Sequence, residues 1–125
     1  MLKKTRKETA RRSSGEGKTV SYLLASPKTT GSEYLTVMVA EYQPGADHTL
    51  HTHNPEQVYY ILEGSGEITV GDETARVEAG DCVFIPSEVP HKLKNDGNVV
   101  LKYLCCSAPL YNEDVEQHWN IPSEQ

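Results

Sequence analysis

From Thr19 to Cys106 the chain is a succession of short apolar, β-branched segments. Each is closed after a few residues by Gly, Pro, Asn or Asp, and before residue 110 no helical apolar period lasts beyond about two turns. That pattern excludes a helical bundle and a β-α alternation, and it requires a sandwich or barrel of many short strands. The strands read from it are Thr19–Ala25, Tyr34–Tyr42, His51–Leu62, Glu67–Val70, Thr74–Glu78, Val83–Ile85, His91–Lys94 and Val99–Cys106. Gly71-Asp72 reads as a tight turn and Asn95-Asp96-Gly97-Asn98 as a hairpin turn.

Alternation decides which side chains share a face. On the long strand His51, His53, Gln57, Tyr59 and Ile61 are all odd-numbered, so a single strand aims them into one interior. Imidazoles inside an apolar barrel are costly unless something coordinates them. Glu56 competes with Gln57 as an oxygen donor, but it is even-numbered and turns away unless a bulge at Asn54-Pro55 shifts the register. By the same rule Tyr34, Thr36, Met38, Ala40 and Tyr42 face inward, as do Val99, Leu101, Tyr103 and Cys105. Tyr34, Met38 and Tyr42 read as pocket walls. His48, in a loop, and His118, in the tail, are expected to face solvent. No arginine is expected inside, because Arg76 alone lies beyond residue 12 and stands beside a hairpin.

Charge divides the 125 residues unevenly. Residues 1–12 hold six Lys or Arg and one Glu, a balance of +5, so with a net charge of −6 the remainder carries −11. A body this acidic argues against nucleic-acid binding. Residues 1–17 read as a basic arm, disordered or in contact with a partner subunit, residues 18–109 as the barrel, and residues 110–125 as an acidic tail with one helical turn. No apolar run approaches the roughly 20 residues of a membrane span, and no apolar stretch follows the basic head as in a secretory signal. Cys82, Cys105 and Cys106 are odd in number and lack metal-thiolate spacing. Cys82 and Cys105, in apolar strand runs, read as reduced core thiols, which suits a cytoplasmic location.

Two longer patterns carry a resemblance. Gly45, five residues, His51-x-His53, three residues, Gln57, six residues and Gly64 resemble the first motif of the cupins, with Gln57 where Glu is usual. Gly80, five residues, Pro86, then His91 and Asn95 resemble the second, with Glu88 where Gly is usual. The resemblance implies an all-β, cupin-type jelly-roll barrel in one domain, usually a homodimer. It also implies one divalent transition metal per chain held by His51, His53, Gln57 and His91. Three imidazoles and an amide oxygen suit Zn, Fe, Mn, Ni, Co or Cu and do not choose among them. A neutral Gln57 leaves the ion's charge undiminished for an anionic small-molecule ligand.

The resulting expectation is a small metalloenzyme performing isomerase- or lyase-type chemistry on an oxygenated acid. Tyr59 and Tyr103 are the candidate catalytic residues, since a phenol beside a divalent cation can have its pKa lowered enough to move a proton. The position of Tyr59 resembles that in cupin-type lyases acting on dimethylsulfoniopropionate. A non-catalytic metal and ligand binder and a metal-dependent dioxygenase are the alternatives. Sugar-acid cupins often hold their carboxylate with an arginine, a contact that the metal or an arginine of the arm would have to supply here.

Overall fold

The computed structural model describes residues 1–121, so Glu124 of the acidic tail lies outside the described residues. Nine antiparallel strands are found among the described residues: β1 (Arg11–Ser14), β2 (Thr19–Ala25), β3 (Thr36–Tyr42), β4 (Glu56–Glu63), β5 (Ser65–Val70), β6 (Glu73–Glu78), β7 (Cys82–Ile85), β8 (His91–Lys94) and β9 (Leu101–Ala108). One sheet runs β1-β2-β3-β9-β4-β7 and the other β6-β5-β8, the jelly-roll arrangement implied by the strand pattern and motifs. A one-turn helix, α1 (Pro27–Thr30), follows β2, and 3-10 turns occupy Lys7–Thr9 and Val115–His118.

Register explains the core. Across the large sheet Met38 pairs with Cys105 and Cys105 with Tyr59, while Ala40 pairs with Tyr103 and Tyr103 with Ile61. These rows face the smaller sheet, where Ile68, Val77 and Leu93 complete the buried cluster. Gly71-Asp72 makes the β5–β6 hairpin, with Val70 opposite Glu73.

Four expectations change. The chain from Asn95 to Asn98 is not a hairpin, because β8 and β9 belong to different sheets. The buried Asn95 amide holds that corner instead, donating to the carbonyls of Tyr42 at 2.9 Å and Val99 at 2.8 Å. Val99 and Tyr34, expected inside, lie just beyond the strand ends and are 59% and 68% exposed. Cys82 is exposed, unlike Cys105. Arg11–Ser14, read as part of an arm, is an edge strand on β2.

The long strand from His51 is also shorter than its alternation suggested. β4 starts at Glu56, so His51 and His53 lie on the preceding loop. Pro55 has no N–H for a ladder, and the Asn54 side chain is engaged by the tail. Its Nδ2 donates to the Leu110 carbonyl at 3.1 Å, and its Oδ1 accepts from the Asn112 N–H at 2.8 Å.

Candidate metal centre

The loop is nevertheless fixed. His51 and His91 exchange both backbone hydrogen bonds, at 3.1 and 2.9 Å, and the Glu88 N–H donates to the His53 carbonyl at 2.8 Å. Glu88 adopts φ 63°, a left-handed conformation that explains why the motif ordinarily carries Gly there. These contacts bring the three rings together, with centroids 4.9 Å apart for His51 and His53, 4.4 Å for His51 and His91, and 5.4 Å for His53 and His91. One ligand nitrogen from each lies within 4.8 Å of the others.

Hydrogen bonding sets the tautomers of two rings. Nδ1 of His51 lies 2.8 Å from the Thr49 carbonyl and Nδ1 of His91 lies 2.9 Å from the Val89 carbonyl. A carbonyl only accepts, so each Nδ1 carries the proton and each Nε2 keeps its lone pair. His91 Nε2, His53 Nδ1 and Gln57 Oε1 are buried without a partner among the described residues. Burial, reinforced by His51 and His91, lowers the His53 pKa to about 4, and burial likewise lowers that of His91. In the metal-free protein these two imidazoles are therefore neutral at neutral pH, the form that ligates a metal. Gln57 is buried on β4 while Glu56 beside it is exposed, as alternation requires.

A cavity of about 340 Å³ opens over the cluster. Tyr59 and Tyr103 stack in its wall at 4.4 Å, and Met38 and Tyr42 also line it. In the metal-free protein burial pushes both Tyr59 and Tyr103 well above the ordinary phenol value. The Tyr103 and Tyr42 hydroxyls hydrogen-bond at 3.2 Å.

Several contributors were not anticipated. Tyr111 accepts the Gln57 Nε2–H at 2.8 Å and stands edge-on to His53 at 5.2 Å. His48 is half-buried, with Nε2 2.7 Å from the Thr19 hydroxyl and its ring against Tyr42. Exposed His118 borders the cavity mouth. Arg12 lines the cavity, which corrects the expectation of an interior without arginine. Its direction follows from β1, where Arg12 and Ser14 pair with buried Ser21 and Thr19 and share their face. The signal for Arg12 was the alternation of Arg11–Ser14, legible only once that segment is known to be a strand. No local signal marked Tyr111.

The cupin-domain family model matches residues 38–107, the span holding both motifs. The chain belongs to the cupin family. An uncharacterized protein of Methanocaldococcus jannaschii is 50% identical over 74 residues, covering 58% of this cupin and 59% of the relative. The oxalate-binding protein of Thermotoga maritima is 37% identical over 62 residues, covering 49% of this cupin and 51% of the relative. These matches therefore span a little over half the length of each relative. Among solved structures, a predicted oxalate decarboxylase from Thermotoga maritima superposes with a TM-score of 0.72 at 26% identity, covering 88% of this cupin and 100% of that chain. Among the described residues no helix is long and apolar enough to cross a membrane.

Proposed function

We propose that His51, His53, His91 and Gln57 hold one divalent transition metal, and that the cavity above them takes a small anionic oxygenated acid for isomerase- or lyase-type proton chemistry. One observation carries the metal site: His91 Nε2 and Gln57 Oε1 are buried with no partner among the described residues. Each such orphan costs roughly 1–3 kcal/mol unless a ligand satisfies it. Three nitrogens and one neutral oxygen suit Zn, Fe, Mn, Ni, Co or Cu. When bound, the ion supplies Lewis acidity toward a carbonyl or carboxylate oxygen.

The chain's own groups do the rest. His51 and His91 are oriented by their carbonyl acceptors, and Gln57 by Tyr111. In the metal-free protein Tyr59 and Tyr103 hold their protons at neutral pH, with burial raising both phenols. As neutral phenols they can donate a hydrogen bond from Oη to an oxygen of the acid, and either can carry a proton where a bound cation lowers its pKa. The relatives named for oxalate support a small carboxylate as ligand. The relative named as a binding protein favours a second reading, a binder without turnover.

A homodimer and a cytoplasmic location belong to the same proposal. Leu35, Val58, Phe84 and Cys106 line a shallow apolar groove on the outer face of the large sheet, suited to a second copy of the chain. Three unpaired thiols suit a reducing compartment.

Elemental analysis tests the site. His51→Ala and His91→Ala are expected to lose stoichiometric metal while keeping the β-sheet circular dichroism of the parent. Full metal retention in both variants overturns the ligand assignment. Turnover is tested by a panel of small hydroxy, keto and dicarboxylic acids with Tyr59→Phe alongside, and metal-loaded protein that converts none of them favours the binder.

A further inference from the structure

The mouth of the cavity carries a positive charge that the metal site does not use. Arg12 is half-buried and points inward from β1, and among the described residues it has no acidic partner within ion-pair distance. Its guanidinium lies over the Trp119 ring, 5.5 Å from the centroid. Trp119 reaches the mouth because the tail folds back, with the Asn120 N–H donating to the Arg11 carbonyl at 3.1 Å. The indole Nε1 of Trp119 is buried and has no acceptor among the described residues. Two donors, one of them charged, thus border one cavity with their hydrogen-bonding capacity unspent.

We propose that Arg12 and the Trp119 N–H form a second anion-binding subsite, so that the acid this cavity takes is a dianion. One carboxylate faces the imidazoles at the floor, and the distal carboxylate lies at the mouth against Arg12. This rests on the metal-site reading above and narrows its ligand class from small acids to short dicarboxylic acids. Stacking on the indole holds the guanidinium in place, so less freedom is lost when a carboxylate arrives. A carboxylate accepts from guanidinium and indole N–H together through its two oxygens. Glu113 borders the same mouth without pairing with Arg12, and its charge opposes an anion there.

Because Trp119 is the one tryptophan of the chain, its emission reports on this subsite directly. Zinc-loaded protein is titrated with malonate, succinate, glutarate and adipate, and with acetate, propionate and butyrate, by calorimetry and by Trp119 fluorescence. At least one dicarboxylate is expected to bind about ten-fold more tightly than every monocarboxylate, with a saturable change in emission. Arg12→Gln should abolish that preference while leaving monocarboxylate affinity within about two-fold. Trp119→Phe, followed by calorimetry, should lose part of it, and Glu113→Gln should increase it. If Arg12→Gln does not fold, Arg12→Lys and Trp119→Phe decide by the same ratio.

Equal affinity for both acid series in protein that retains zinc overturns the subsite and leaves the metal reading standing. So does an Arg12→Gln loss shared equally by mono- and dicarboxylates, or the absence of saturable binding by any acid. Wild-type protein that fails to retain zinc, or any other divalent transition metal, overturns both.

Discussion

Gln57 gives its amide N–H to the Tyr111 hydroxyl at 2.8 Å and keeps its own carbonyl oxygen buried, without a partner among the described residues. The phenol thereby occupies the amide nitrogen and leaves the carbonyl oxygen available to a ligand. Tyr111→Phe is expected to lower metal affinity about ten-fold, as loss of a group orienting a ligand commonly does. Gln57→Ala should weaken retention less than a histidine deletion, and Gln57→Glu should keep or strengthen it by adding a negative charge. Competition with a chromogenic chelator measures all three, and an unchanged affinity in Tyr111→Phe removes it from the site.

The metal-free protein should lose stability on acidification. The His53 pKa falls from 6.5 to about 4 on folding, so between those values the unfolded chain binds a proton that the folded chain refuses. The contribution is fully present above pH 6.5 and is lost as pH falls toward about 4. His91 and His48 shift in the same direction, both chiefly through burial. Urea midpoints of chelator-treated protein should decline through this window, and His53→Gln should flatten the decline. A midpoint that stays level between pH 7 and pH 4 contradicts the burial of these rings.

The fold was legible because strand periodicity and turn residues are local, and eight segments read from the sequence correspond to β2 through β9 with ends shifted by a few residues. The His-x-His spacing marks the site for a reason only partly that of strand alternation. His51 and His53 converge through backbone bonds to His91 and Glu88, not through one strand. Those bonds join residues some 35–40 positions apart, which no local pattern reveals. Arg12, Tyr111 and Trp119 were hidden for the same reason. Each belongs to a terminal segment whose direction is set by pairing with β2, by Asn54 and by Arg11.

Tyr103→Phe tests the phenol pair. It leaves the Tyr42 hydroxyl buried without its 3.2 Å partner, and this should cost about 1–2 kcal/mol in urea unfolding. Burial raises the Tyr42 pKa to about 12, so the hydroxyl stays neutral and the penalty is that of an unmet polar group. A cost near zero means that water replaces Tyr103.

Gly64 closes the first motif for a steric reason. Its φ is 81°, and a Cβ there would press on the Val100 carbonyl oxygen. Gly64→Ala should destabilise by about 2 kcal/mol or more, combining left-handed strain with the displaced backbone. Thermal unfolding measures it, and a neutral result means that the β4–β5 corner can shift without cost.

Glu116 anchors the tail to α1. Its Oε2 accepts from the Ser26 hydroxyl at 2.6 Å and the Lys28 N–H at 2.7 Å, contacts nearly ninety residues apart in sequence. A carboxylate at these donors also meets the positive end of the short helix. Glu116→Ala should therefore cost about 1 kcal/mol, the scale of a partly exposed charge-assisted hydrogen bond. The effect should be local: amide exchange over residues 111–121 accelerates and Trp119 emission shifts toward the red, while metal content stays that of the parent. The Asn54 contacts to Leu110 and Asn112 remain in the variant and should keep Tyr111 beside Gln57. Exchange that is unchanged beyond Asn112 means that the Asn120–Arg11 pairing alone holds the tail across the mouth.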